Sequence, residues 1–432
     1  MAHSLSARAT RVLALPKPSF TSVYYASLGK LYDPVTRPSG IVNLAVAENR
    51  LAAPLIMERL AAAGSGATPE SLAYNPYAGS DRLRAAVARV ASRHIARCSV
   101  DPANVILTNG AGSALWLLAA NLADAGQGIL VPTPYYYAYD RDFGALTDCQ
   151  VVPFDRGDGG PLDPATLSGA LSSAASRGVT CRVLAITNPS NPTGEVVSAE
   201  EVRAAIDWAG EHGVDVIVNE LYACSARPTS GFRSVLEMYQ DGNGSCKLPE
   251  HVHFVWGLSK DFAVNGLRCG CIYSGSSALT EAATKFACFF QVGGTVQVQL
   301  ADVLEDDAWV DSFLQESLRR VTSALDETEA ALSSVGAPFK PPGGALFVWA
   351  NLGAWASAAG GELALFERLA AGPPDGSGGV LLCPGESFRS PGEGWFRICP
   401  PAAPGGHLSV GLERLVAGLS RVGRGRTPSA AS

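Results

Sequence analysis

Three linked pieces decide the fold. The first is Val183-Leu184-Ala185-Ile186-Thr187-Asn188-Pro189-Ser190-Asn191-Pro192-Thr193-Gly194. Ser198-Ala199-Glu200-Glu201 follows it, and Gly213-Val214-Asp215-Val216-Ile217-Val218 closes the unit. Val183–Ile186 is a short apolar run ended by Asn-Pro turn chemistry, the signature of a buried strand. Ser198, three residues before Glu201, makes a capping box. Val202, Ala205, Ile206 and Ala209 then share one helical face, and Gly213 supplies the stop. Val214–Val218 is the next buried strand. Strand, crossover helix and strand in this rhythm make a parallel pair.

The rhythm extends outward. Val105–Leu107 reads as a strand, Thr108-Asn109-Gly110-Ala111-Gly112-Ser113 as the turn after it, and Ala114–Ala123 as a helix. Gly128–Val131, stopped by Pro132 and Pro134, and Val252–Val255 are further strands. The expected fold is α/β, with a mainly parallel sheet flanked by helices. Ligands of such sheets bind beyond the carboxyl ends of the strands. From about residue 300 the texture changes. Helical stretches at Trp309–Ser334 and Glu362–Ala371, separated by Gly- and Pro-rich breaks, predict a smaller α+β domain. The expected division is residues 1–55 as an N-terminal arm with part of the small domain, 56–305 as the large domain, and 306–432 as the small domain with a flexible tail.

Composition narrows the function. Of 432 residues, 47% are hydrophobic and 17% charged, which supports a sizeable core and excludes a disordered chain. A net charge of −7 speaks against a nucleic-acid or anionic-membrane partner. The basic run Arg421–Arg426 reads as a solvated end. Ten cysteines without a Cys-x-x-Cys pair and six scattered histidines give neither a disulfide scaffold nor a metal site. Reduced cysteines in a cytoplasmic protein are expected. No run of eighteen apolar residues occurs, so no membrane span is expected. The first 32 residues contain no acid, as in organelle transit peptides, but they show no clean amphipathic repeat.

Reactive residue types cluster just after the strands. Thr187–Gly194 follows Ile186, and Asn219-Glu220-Leu221-Tyr222 follows Val218. Trp256-Gly257-Leu258-Ser259-Lys260-Asp261 follows Val255, with Arg268 eight residues past the lysine; Trp395-Phe396-Arg397 stands near the C-terminus. Singly these are weak: Asn-Pro marks turns, and a lysine is usually a solvated surface residue. Lysine is scarce here, six against 27 arginines, and the order and spacing carry more than any one member.

With these clusters, Leu44-Ala45-Val46-Ala47-Glu48-Asn49-Arg50, Pro132-Thr133-Pro134-Tyr135-Tyr136, Asp140-Arg141-Asp142, Ser259-Lys260-Asp261-Phe262 and Gly394-Trp395-Phe396-Arg397 carry a resemblance. Between about Leu5 and Gly418 the chain resembles the fold-type-I pyridoxal-phosphate enzymes of the class I/II aminotransferase group. Within that group it is most similar to the 1-aminocyclopropane-1-carboxylate synthase-like branch. The resemblance implies pyridoxal 5'-phosphate as cofactor, an α-amino acid as small-molecule substrate, and a homodimer.

It also implies roles. Lys260 holds the cofactor as a Schiff base and moves the Cα proton. Arg268 and the turn at Ala111, Gly112 and Ser113 hold the phosphate, with Ser259 beside them. Tyr136 stacks on the ring, and Asn191 and Tyr222 serve its phenolic oxygen. Arg397 grips the substrate carboxylate, Glu48 is a substrate-side acid, and Tyr77 reaches into the neighbouring subunit's site. Glu48 also fits a role at a helix start.

Two positions depart from the family pattern. Asn219 stands where an aspartate normally faces the ring nitrogen, and an amide cannot balance a full pyridinium charge. Glu220 is its neighbour, but strand alternation turns it the other way. Gly257 stands where a serine normally meets the phosphate. Three functions stay open: transamination or ACC synthase-like elimination on an amino acid; a C–S lyase or γ-substitution enzyme using S-adenosylmethionine or another amino-acid-derived substrate; and a catalytically weak binding homologue. Retention of Lys260, Arg268, Asn191, Tyr222 and Arg397 speaks against the third.

Overall fold

The computed structural model describes residues 5–423 apart from Pro16, Asp158 and Gly159. Its centre is a seven-stranded sheet of β1 (Val105–Thr108), β2 (Gly128–Pro132), β3 (Gln150–Phe154), β4 (Cys181–Thr187), β5 (Asp215–Asn219), β6 (Val252–Gly257) and β7 (Gly270–Ser274). The strand order is β1-β7-β6-β5-β4-β2-β3. Six strands run parallel; β7 alone is antiparallel to both its neighbours. In β4, Val183, Leu184, Ala185 and Ile186 are all buried, as expected of a strand covered on both faces.

The capping box at Ser198 forms in both directions and starts the helix Ala199–Glu211. The helix after β1 begins at Ala111, three residues earlier than its apolar run suggests. Gly112 has a poor helix propensity, but the turn at Gly110 sets Ala111 as the first helical residue. β3, β7 and the N-terminal helices Ala7–Ala14 and Ser19–Ser27 are further elements that the sequence pattern did not disclose. Arg8 and Arg11 tie the first of these helices to Asp148.

A second sheet, antiparallel throughout, has β8 (Phe339–Lys340), β9 (Val348–Asn351), β10 (Cys383–Pro384) and β11 (Trp395–Ile398) in the order β10-β11-β9-β8. Val42–Asn43 crosses from the N-terminal arm to pair with Val380–Leu381. The helix Asp307–Ser334 bridges the two units. Val310, Phe313 and Leu314 pack in the core of the large sheet, whereas Val321, Ala324, Leu325 and Leu332 pack in that of the small one. Among the described residues, no helix is long and apolar enough to cross a membrane. The end of the basic run, Arg424–Arg426, and the tail expected to be flexible lie outside the described residues.

Candidate active site

A cavity of about 210 Å³ opens at the carboxyl ends of β4, β5 and β6, against the helix after β1 and under Arg397 of β11. Glu48, Ala111, Gly112, Tyr136, Asn191, Asn219, Tyr222, Ser259, Lys260, Arg268 and Arg397 line it. Segments more than 300 residues apart in sequence meet there.

Lys260 projects from a one-turn helix, Leu258–Asp261, directly after β6. Asp261 pins that turn: its carboxylate accepts from Ser225 Oγ at 2.7 Å, Trp256 Nε1 at 2.9 Å and the Cys224 N–H at 3.1 Å. The lysine Nζ donates to Ala47 O at 2.6 Å and stands 3.4 Å from Asn265 Oδ1. Among the described residues no carboxylate lies within ion-pair distance of it. Burial pushes the amine down from 10.5 to about 8. At pH 7.5 roughly a quarter is then neutral and nucleophilic, against about one part in a thousand for an ordinary lysine.

Arg397 is 1% exposed, clamped between the rings of Phe347 and Phe388 at 4.5 and 4.7 Å from their centroids. Nη1 donates to Asn191 Oδ1 at 2.8 Å and Nη2 to Ala45 O at 2.6 Å; Nε has no partner. No acid within the described residues pairs with it. A dry guanidinium with only neutral partners is costly unless an anion joins it. Asn191 in turn donates from Nδ2 to the Tyr222 hydroxyl at 3.3 Å. The fork, the amide and the phenol therefore form one braced unit.

The other end of the cavity suits a phosphate. Arg268, at φ 53°, lays its guanidinium across Gly110, where a Cβ would stand 2.1 Å from Nη2. Gly110 has φ 102°, a backbone conformation that favours glycine, and its bare Cα lets the guanidinium lie close. Nη1 of Arg268 donates to Asn265 O at 3.0 Å. The first N–H groups of the helix that starts at Ala111 have no intrahelical acceptor, and its dipole favours an anion. Two arginines, one of them buried, open backbone donors and a nucleophilic amine are the groups pyridoxal phosphate and an amino acid need, and Tyr136 supplies a ring in the wall.

Two of the expected residues lie elsewhere. Ser113 is turned away: its hydroxyl donates to Asn109 Oδ1 and its N–H to Gly110 O. Both Ser113 donors are engaged within this turn, and the side chain stands outside the cavity lining. Tyr77 is 55% exposed, outside the cavity of its own chain. Glu48 lines the cavity; the helix Ala53–Ala62 that follows has no side-chain cap, and Asn49 Oδ1 accepts from the Ala52 N–H just before it. At Gly257 a Cβ would stand 3.0 Å from Cys269 O and 3.1 Å from Gly270 Cα, so β7 leaves little room for a side chain.

Asn219 ends β5. Its Nδ2 donates to the Tyr139 hydroxyl at 2.9 Å, and its Oδ1 accepts from the Leu221 N–H at 3.3 Å. Glu220 does face the opposite side. It is 1% exposed, Oε1 accepts from the Val235 N–H at 2.7 Å, Oε2 is unpartnered, and burial pushes the carboxyl up to about 8. The folded state holds this proton more tightly than the unfolded chain. The contribution of Glu220 to stability is therefore fully present below about pH 4.5 and is lost as pH rises to about 8. Glu220→Gln should gain on the native chain by up to about 1.4 kcal/mol per pH unit across that window, then level off. Urea unfolding at several pH values checks this, and parallel stability curves would refute it.

Tyr139, Thr187, Asp142 and Asn265 also belong to the site or its support; the sequence pattern placed Thr187 and Asp142 in motifs but gave none of the four a role. Thr187 could have been found as the last residue of β4, and Tyr139 as the residue one helical turn after Tyr136. Asp142 faces Gly112, with Oδ2 unpartnered and its carboxyl raised by burial.

The model of the aminotransferase class I and II family matches residues 39–415. Similar curated proteins include 1-aminocyclopropane-1-carboxylate synthase 1 of Oryza sativa subsp. indica, 32% identical over 89% of this chain and 82% of that protein. They also include 1-aminocyclopropane-1-carboxylate synthase-like protein 1 of Homo sapiens, 31% identical over 90% of this chain and 77% of that one. Among solved structures, the aspartate aminotransferase of Thermus thermophilus with maleate shares the fold at TM-score 0.76, with 23% identity over 96% of this chain and all of that one. An aminotransferase from Mycobacterium tuberculosis does so at 0.78, with 22% identity over 97% of this chain and all of that one. The chain belongs to the class I and II aminotransferase family and is a pyridoxal-phosphate-dependent enzyme of amino-acid chemistry.

Proposed function

We propose that this enzyme binds an α-amino acid by its carboxylate at Arg397, takes the Cα proton with Lys260, and favours loss of a β or γ substituent over full transamination. The observation that carries the reading is the Asn219 amide at the end of β5, bonded to Tyr139 and to the Leu221 N–H. Bound pyridoxal phosphate supplies the electron sink that acidifies the substrate Cα–H. Lys260 would anchor it, and Arg268 with the Ala111 and Gly112 amides would hold its phosphate. Asn191 and Tyr222 would serve its phenolic oxygen, and Tyr136 its ring.

Arg397 fixes the substrate so that one Cα bond is presented to Lys260. The depressed basicity of Lys260 lets it accept a proton and return it near neutral pH. Glu48, in the same wall, is placed to meet a substrate cation. Asn219 offers no negative charge to hold a protonated ring nitrogen, so with the cofactor bound, charge developing at Cα would be drawn less into the ring. Chemistry that expels a leaving group at once suffers least. The names of the similar synthases fit this order, with S-adenosylmethionine as the first substrate to try.

The test is a panel of amino acids, including S-adenosylmethionine, assayed for keto acid, ammonia and methylthioadenosine. Asn219→Asp should raise the share of keto-acid product roughly tenfold. An unchanged product ratio would sink the electronic argument.

A homodimer fits the surface. Leu72, Tyr74, Tyr77 and Phe289 are strongly exposed, and Gln291 bonds the backbone at Asn75 and Pro76, which holds the two segments together. Tyr77 then serves the partner's site. Mixed Tyr77→Phe and Lys260→Ala chains should recover up to about a quarter of native activity through hybrids with one intact site. No recovery despite demonstrated subunit exchange would confine Tyr77 to its own chain. Ten free cysteines, most of them buried, support a cytoplasmic location.

A further inference from the structure

Tyr139 is 1% exposed and no part of its ring is needed to fill the cavity wall, which Tyr136 already supplies. Its hydroxyl lies between two partners, Thr187 Oγ1 at the end of β4 and Asn219 Nδ2 at the end of β5. The direction of every hydrogen bond in this row follows from one fixed end. A backbone N–H can only donate, so the Asn219 oxygen must face Leu221. The amide nitrogen must then face Tyr139, whose oxygen accepts. The phenolic proton is left for Thr187 Oγ1. Burial pushes the Tyr139 hydroxyl up to about 12, so the row stays uncharged at neutral pH.

With these bonds made, the carboxamide keeps a second N–H on the nitrogen side. We propose that Tyr139 is a positioning residue that fixes Asn219 as a hydrogen-bond donor toward the cofactor's ring nitrogen, so that this chain selects the unprotonated pyridine. The proposal rests on Asn219 facing that ring, as in the function above, but not on which product the enzyme makes. A carboxylate at 219 reverses the row: Tyr139 then donates to it, and the free carboxylate oxygen accepts from a protonated nitrogen. Aspartate with the present row therefore selects the opposite protonation state, and the hydroxyls of Tyr139 and Thr187 serve either choice.

The test uses the full chain loaded with pyridoxal phosphate labelled with ¹⁵N in the ring, observed by NMR at pH 7.5. The native enzyme should show an unprotonated, hydrogen-bonded pyridine nitrogen, and Asn219→Asp a protonated one. Tyr139→Phe keeps the ring and its packing but frees the amide to turn. Its ¹⁵N resonance should leave the native position, and the cofactor Kd should rise about three- to tenfold. A packing role alone leaves the resonance in place. If Tyr139→Phe does not fold, Thr187→Val removes the acceptor of the phenolic proton and should move the resonance the same way by less. A protonated nitrogen in the native enzyme, or native resonances in both variants, overturns the proposal. The product panel fails or succeeds separately, since an enzyme that transaminates can still hold an unprotonated ring.

Discussion

Lys260→Ala should lower turnover at least about a thousandfold, because it removes both the covalent anchor and the amine that carries the Cα proton. The protein should still fold. Asp261 and its bonds to Ser225, Trp256 and Cys224 hold the Leu258–Asp261 turn without the lysine, and the lost contact to Ala47 O is a single hydrogen bond at the cavity edge. The cofactor should now wash out on gel filtration. Added methylamine should restore part of the rate, since a small amine can enter the space vacated. A variant that keeps more than a tenth of native turnover would remove Lys260 from the chemistry.

Arg397→Lys should weaken apparent substrate affinity by roughly ten- to a thousandfold while cofactor retention stays unchanged. The guanidinium fork reaches Asn191 Oδ1 and Ala45 O together and still has N–H groups to offer. A single ammonium cannot span both and grip a carboxylate in the same plane. The phenyl rings of Phe347 and Phe388 would also lose the flat cation they enclose. Steady-state kinetics with the best substrate of the panel measure the change. Unchanged KM would take the substrate carboxylate away from Arg397.

The parallel core was legible because β4, β5 and β6 are short runs of buried Val, Ile and Phe bounded by turn residues. β7 was not. Gly270-Cys271-Ile272-Tyr273-Ser274 is weakly patterned, and its antiparallel direction is set by wedging between β1 and β6 rather than by its own residues. At the site, the residues that carry their chemistry in their type were legible: the lysine after a strand, the arginine eight residues on, the asparagine in an Asn-Pro turn. Those that act through a partner were not. Tyr139 is one aromatic in a dense row of tyrosines, and its meaning depends on Asn219, eighty residues away. Phe347 and Phe388 look like ordinary core residues until Arg397 is placed between them. Gly110 reads as a turn glycine, and the Arg268 guanidinium that lies across it is visible only in the folded chain.

Borohydride reduction of the loaded enzyme, followed by peptide mapping, tests the central claim most directly. The account predicts a pyridoxyl group on Lys260 and native-like labelling stoichiometry lost in Lys260→Ala. A label on Lys17, Lys30, Lys247, Lys285 or Lys340 would contradict it, because none of these five lines the cavity that Arg268, Asn219 and Arg397 share.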